Sequence, residues 1–583
     1  MKREPREAAA SRRGATARGR AAREVTVSPA TARGDRRRVG LALLFILATL
    51  VVLQFMLGPS SFGLFTIVLC LLVGTATGRL LLGPRPTAPP SDGAWARYGR
   101  LVGPAVFAAA VLPYLATLTL GFISDDYMIT GTVGGYKSLW PLLAFNPYSR
   151  LYRGLHFAAW WLQYQLWGKA ALGYHAINVA FHGADALLVY VLGRRLIGRR
   201  DAALVAALLF AVHPLHVEPV AWTCGQVDLQ ATLFALLSVL LLDVYLQATR
   251  PASRWPALSG ACLVFVFALL TKESTLALPA VAVMWTLVRL GRPGWRRALG
   301  VGGAFGLVLA GYLVVRVVSF GEFGGYYIAS GLRDAWFPTA PLRLIYTFFF
   351  PVVVGLFAKI PWGLGGWLLW LATILMAGLL FACLRGTVSV PGRRLAFYFG
   401  FTLVLSIPVW QLPITADLEG TRFAYLPTIA LAWLCGEVAA AVRATGGRAR
   451  WIPAATLVGA ALLCTWYLVP WRTARRLADA SIQSAAQVIA RTPRGERDPA
   501  FFFEGLPGGW CGAQVWRHGF GLAVNERLAR PALVQTVGEA SDLPQEVMTL
   551  SNLGPGEYLY EWRGERHGMV LVRRGGDATG RRP

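Results

Sequence analysis

Apolar runs of about 20 residues, separated by short Arg-rich or polar stretches, recur along most of the chain. A helix of that length crosses the hydrocarbon core of a bilayer with its backbone hydrogen bonds satisfied internally. The pattern predicts spans at about 40–57, 61–82, 101–120, 174–193, 202–220, 228–247, 257–273, 275–290, 298–318, 364–384, 395–412, 423–441 and 451–470. The expected fold class is therefore an all-α polytopic membrane protein with about 13 transmembrane helices. Uncharged, Leu/Ala/Val-rich stretches such as Ala202–Val212 and Leu233–Leu242 read as helix, not as the alternating strands of a barrel.

The polar stretches divide the chain. Residues 1–39 carry 12 Lys/Arg against 4 Asp/Glu and read as a disordered basic cytoplasmic tail. Residues 40–100 hold two N-terminal spans and a Pro-rich linker. Residues 101–470 form the membrane core, with a first outer loop at 121–170 whose aromatics and charges suit helices lying at the interface. The basic loops Arg194–Arg200, Arg250–Arg254 and Arg292–Arg297 are placed in the cytoplasm. Treating 342–360 as a re-entrant piece, bracketed by Arg343 and Lys359 and interrupted by Pro351, keeps the basic loop Arg385–Arg394 on that side as well. Residues 471–583 then form a small extracytoplasmic α+β domain, with a helix at Ala474–Ala490 and strands at Glu557–Trp562 and Met569–Val572.

Composition narrows the function. Of 583 residues, 55% are hydrophobic and 15% charged, where a soluble chain carries roughly 25%. The net charge of +27 reflects Arg-rich loops and is a topology signal, so no nucleic-acid partner is implied. The seven cysteines show no metal-ligand spacing, and no Gly-rich nucleotide motif is present.

The remaining charged residues gather near the outer surface. Asp125 and Asp126 follow the third span; on a helix they point about 100° apart, so one is expected to face a site as general base. The alternative is a helix cap with a neighbouring carboxylate. His213, His216 and Glu218 sit in a Pro-loosened turn ending at Trp222, as a pocket or as an interfacial cluster. Asp228, Lys272 and Glu273, with Glu419 and Arg422, complete the set, and Arg150 and Arg153 are an i,i+3 pair. Lys272, Arg422, Arg150 and Arg153 suit the phosphate of a lipid head group, or simply the membrane interface. The acids are DD and not DxD, which leaves a divalent metal open without requiring one. Convergence of these groups on one face suits a substrate with a lipid tail and a polar head.

The motifs FISDDY, GYHAINVAFHGADALLVY, FAVHPLHVEPVAW, LLTKES and EGTRFAYLP occur in this order over residues 101–442. This resembles the membrane core of the transmembrane-and-tetratricopeptide-repeat O-mannosyltransferases and, more broadly, the GT-C glycosyltransferases. No tetratricopeptide repeats follow, and Gln226 and Asp228 stand where relatives often show an Arg-Asp pair. The resemblance implies a membrane hexosyltransferase of the bacterial inner membrane, active on the extracytoplasmic side. It also implies a polyprenyl-phosphate sugar donor, inversion, and a protein, lipid or glycan acceptor. Carried onto this chain, Asp125 would be the base and Asp126 the second choice. His213 and Glu218 would shape the pocket, and Lys272 and Arg422 would contact the donor phosphate. A lipid-linked glycan flippase is the alternative; it would place charges near the bilayer midplane and show internal repeats.

Overall fold

The structure, a computed structural model, describes residues 101–144, 152–320, 340–349, 351, 390–409, 414–415, 417–444, 446–493, 498–537, 553 and 556–574. All of them lie within one unit, Gly74–Pro583. The expected spans 40–57, 61–82 and 364–384, the basic tail, most of 342–360 and Arg150 fall outside the described residues.

Seven helical stretches among the described residues are long and apolar enough to cross a membrane: Val102–Thr119, Ala171–Ile197, Thr223–Gln247, Pro251–Thr271, Glu273–Leu290, Arg292–Ser319 and Ile452–Arg491. The expected span 202–220 is broken into Arg200–Ala211 and Pro214–Ala221, bent by 50°. Pro214 and Pro219 lack the N–H that would continue the ladder, so the break follows from the sequence. Helices Gly392–Ser406 and Ile429–Ala444 are shorter than the spans expected at 395–412 and 423–441. The described residues thus hold seven such helical stretches, or eight counting the bent pair, and three of the thirteen expected spans fall outside them.

Small residues bring the helices close. A Cβ on Gly436 would lie 2.2 Å from the carbonyl oxygen of Ala202, so Ile429–Ala444 and Arg200–Ala211 touch backbone to backbone. In lipid, where the hydrophobic drive between helices is weak, such approach gains dispersion contacts.

The helix expected at Ala474–Ala490 is not separate from the preceding span. Ile452–Arg491 is one helix of 40 residues with Pro470 inside it. Its second half carries a four-stranded sheet of order β4-β1-β5-β6, from β1 (Ala500–Glu504), β4 (Leu533–Thr536), β5 (Glu557–Trp562) and β6 (Met569–Arg574). Strand β1 runs parallel to both neighbours, and β5 and β6 pair antiparallel. Alternation sends Phe501 and Phe503 into the main core and Phe502 to a separate small cluster with Leu559. Ser484 Oγ accepts from Met569 N at 2.8 Å, tying the sheet to the helix. A short hairpin, β2 (Gly509–Trp510) with β3 (Ala513–Gln514), projects between β1 and β4 in sequence.

Candidate active site

The segment that follows the helical stretch Val102–Thr119 enters through Ser124, whose φ of 50° and ψ of −126° place it outside the usual regions for a side-chain-bearing residue. The helix Asp125–Gly134 starts immediately after it. Asp126 is fully buried: Oδ2 accepts from Ile123 N at 3.0 Å and Oδ1 from Cys224 N at 2.9 Å. Burial pushes its carboxyl up to about 7, against two backbone donors that favour the ionised form. Asp125 is half-buried, with Oδ1 3.3 Å from Ser124 Oγ. The two acids therefore differ: one is a two-sided anchor, the other is accessible.

Of the cations expected to meet a phosphate, the three that lie among the described residues each face one acid. Arg153 grips Glu273 with Nε and Nη2, the first at 2.9 Å. Lys272 pairs with Asp228, both nearly inaccessible at 3% and 6% exposure. Arg422 pairs with Glu218, which also accepts from Arg422 N at 2.9 Å and from Thr421 Oγ1 at 3.1 Å. Phe423 joins two of these pairs, with Lys272 Nζ 4.9 Å and Arg422 Cζ 4.5 Å from its ring centre. Trp222 lies 5.0 Å from Arg422 Cζ. The turn at 222–224 therefore touches both Arg422, at the Trp222 ring, and Asp126, at Cys224 N.

His213 and His216 form a hydrogen-bonded cluster, the second of the two readings their sequence allowed. His213 Nε2 donates to Phe348 O at 3.0 Å, and Nδ1 accepts from Leu215 N at 3.3 Å. His216 Nδ1 donates to Phe210 O at 2.7 Å, and its Nε2 faces Thr428 Oγ1 at 3.3 Å. Both rings hold the Pro214 turn in place, because a broken helix frees backbone groups that need partners. His213, stacked on Phe348, also lines an apolar cavity of about 380 Å³. Glu419 accepts from Gln514 Nε2 at 2.8 Å, on the C-terminal domain. Among the described residues no group of three or more His, Cys, Asp or Glu is arranged to hold a metal ion.

Several polar residues that bear on the site went unassigned in the sequence. Asn178 Nδ2 donates to Trp222 O at 2.8 Å, fixing the turn whose Cys224 N reaches Asp126. His182 Nε2 donates to Ala211 O at 2.9 Å, and the Tyr425 hydroxyl lies 2.7 Å from His182 Nδ1 and 3.1 Å from Asp185 Oδ2. His156, beside Gln230, is pushed down to about 3 by burial and by Arg153, and so stays neutral. The signal was available: His175, Asn178, His182 and Asp185 recur every three or four positions, on one buried face of Ala171–Ile197.

A second charged cluster occupies the other end of the helix Gln226–Gln247. There the buried Asp243 accepts from Arg195 at 2.9 Å, Arg289 at 2.7 Å and Trp285 Nε1 at 3.1 Å. Asp228 and Asp243 are separated by about 22 Å along the helix axis. Arg195 and Arg289, each beside an Arg-rich loop, thus meet at the Asp243 end, and Lys272 pairs at the Asp228 end.

No protein-family model matches the chain. It is 32% identical over 182 residues to the protein O-mannosyl-transferase Tmtc1 of Drosophila melanogaster, covering 29% of this chain and 21% of that protein. It is 33% identical over 170 residues to human TMTC4, also a protein O-mannosyl-transferase, covering 26% and 22%. This chain is similar to the protein O-mannosyl-transferases. It matches only about a fifth of the length of these relatives. Solved structures with some likeness include ArnT from Cupriavidus metallidurans bound to undecaprenyl phosphate, at TM-score 0.39, 15% identity, and coverage of 77% of this chain and 87% of that one. The oligosaccharyltransferase of Archaeoglobus fulgidus gives TM-score 0.41, 14% identity, and 74% and 62% coverage.

Proposed function

We propose that the chain is a multi-pass membrane glycosyltransferase that moves a hexose from a polyprenyl-phosphate donor to an acceptor hydroxyl, with inversion, on the extracytoplasmic side. The observation that carries this reading is that the single turn at 222–224 meets Asp126 through Cys224 N and Arg422 through the Trp222 ring. A carboxylate pair and a paired cation thus meet the same turn. Such an arrangement suits displacement at an anomeric carbon, where proton removal and leaving-group stabilisation are needed on opposite faces. The likeness to O-mannosyl-transferases supports the reaction class and makes mannose the first sugar to test.

In this reading Asp125 is the base. It takes the proton of the acceptor hydroxyl as that oxygen bonds to the anomeric carbon. The bond from that carbon to the phosphate oxygen breaks, and polyprenyl phosphate leaves with the electron pair. Asp126 is unsuited to the role because both of its oxygens hold backbone N–H groups. Arg422, Lys272 and Arg153 would receive the phosphate, each oriented by its acid, Glu218, Asp228 or Glu273. The Arg-rich loops flanking the Asp243 end support an orientation, by the positive-inside rule, with the acid pair outside.

The test is sugar transfer by purified protein in liposomes. Labelled polyprenyl-phosphate hexoses would be supplied, release of polyprenyl phosphate followed, and Asp125→Asn run alongside. Donor-specific turnover lost in the variant is expected. A folded wild-type protein that turns over no donor with acceptor hydroxyls present would sink the reading.

A further inference from the structure

Three non-glycine residues among those described have φ in the left-handed region: Ser124 at 50°, Leu418 at 66° and Cys511 at 47°. Such conformations persist only where the surroundings over-determine them. Their three segments meet. Ser124 Oγ accepts from Arg517 N at 2.9 Å. Gly519 approaches the same loop so closely that a Cβ there would lie 3.0 Å from Ser124 O and 3.2 Å from Met128 N. On the other side, a Cβ on Gly512 would lie 1.9 Å from Asp417 O, and Gln514 Nε2 donates to Glu419 Oε1 at 2.8 Å. Residues 509–519 thus touch two loops nearly 300 positions apart in sequence: the one bearing Asp125 and Asp126, and the one leading into Arg422.

We propose that residues 509–519 of the C-terminal domain are a positioning element that fixes the spacing between base and phosphate-binding cations. Ser124 and Glu419 are its handles. The proposal rests on the reading above only in naming what the two loops carry. A general base and a leaving-group clamp must hold their separation to a fraction of an ångström, and a loop attached at one end does not do so alone. The hairpin supplies the second attachment for each, and Trp516 anchors it in turn, with Nε1 donating to Ser481 Oγ at 2.8 Å on the long helix.

Gln514→Glu sets a carboxylate against Glu419. It is expected to lower kcat on the order of 10–100-fold, to leave KM for the donor within about twofold, and to speed amide hydrogen exchange over 414–425. Adding Glu419→Gln reverses donor and acceptor and is expected to restore both readouts. Gly519→Ala wedges the other loop, and is expected to lower kcat and to speed exchange over 121–134 alone. A double variant as slow as Gln514→Glu with normally protected loops overturns the proposal, as does unchanged kcat in both single variants. If wild-type protein transfers no sugar, the transferase reading fails by itself and exchange alone decides: loops that loosen in Gln514→Glu and tighten in the double variant support the positioning role, and unchanged loops overturn it.

Discussion

Asp126 accepts the backbone N–H of Cys224 at 2.9 Å, joining two segments 98 positions apart at the mouth of the candidate site. Its carboxyl ionises at about 7 instead of the usual 3.8. Above that pH both oxygens are acceptors; below it a proton occupies one of them and a tie loosens. Sugar transfer should therefore rise with pH through about 7, and this limb should be missing in Asp126→Asn. Stability should move the other way. Between about 4 and 7 the folded chain holds a proton that the unfolded chain has released, so thermal stability should fall as pH rises through that window and level off above it. A pH series of initial rates and melting temperatures checks both signs.

Asp125→Asn keeps the shape of the accessible acid and removes its basicity. Turnover should fall by about 10²–10⁴-fold, the usual contribution of a general base. Donor binding, read by titrating labelled lipid without acceptor, should be unchanged.

The Lys272–Asp228 pair separates stability from binding. Lys272→Gln leaves a buried carboxylate without its cation and should cost about 3–5 kcal/mol. The Lys272→Gln/Asp228→Asn double variant should recover most of that in melting experiments, while donor affinity stays weak in both. Recovery of affinity along with stability would mean that Lys272 does not meet the phosphate.

Asn178→Ala removes the side chain that holds the Trp222 carbonyl. A loss of about 1–3 kcal/mol is expected. Lower kcat should accompany it, because the turn it fixes also presents Cys224 N to Asp126. Denaturant midpoints and rates on the same sample test this.

How far the site could be read from sequence depended on how visible each residue was. Charged residues in an otherwise apolar chain stand out, so Asp125, Asp126, Glu218, Asp228, Lys272, Glu273 and Arg422 are visible in the sequence as candidates. Their pairing was not legible, because Arg422 meets Glu218 across 204 positions and Arg153 meets Glu273 across 120. The His213–Glu218 run reads equally as a pocket or as an interfacial cluster. Pro214 in fact makes a turn whose freed backbone groups occupy those rings. Helices were placed well where an apolar run was uninterrupted, and less well at Pro214 and Pro470, one of which breaks a helix while the other is carried through. Strands β1 and β4 were missed, since β1 is the aromatic run Phe501–Phe502–Phe503, buried on both faces and lacking the alternation that marks a half-buried strand.

The helix Ile452–Arg491 is about 60 Å long, roughly twice the thickness of the hydrocarbon core. The part beyond the membrane works as a phase key as well as a stalk. One residue inserted after Trp471 would lift the C-terminal domain by only about 1.5 Å but swing it by about 100° around the rod. Height above the bilayer would hardly change while the azimuth would be wrong. In natural variants, insertions in this stretch should therefore come in near-whole turns.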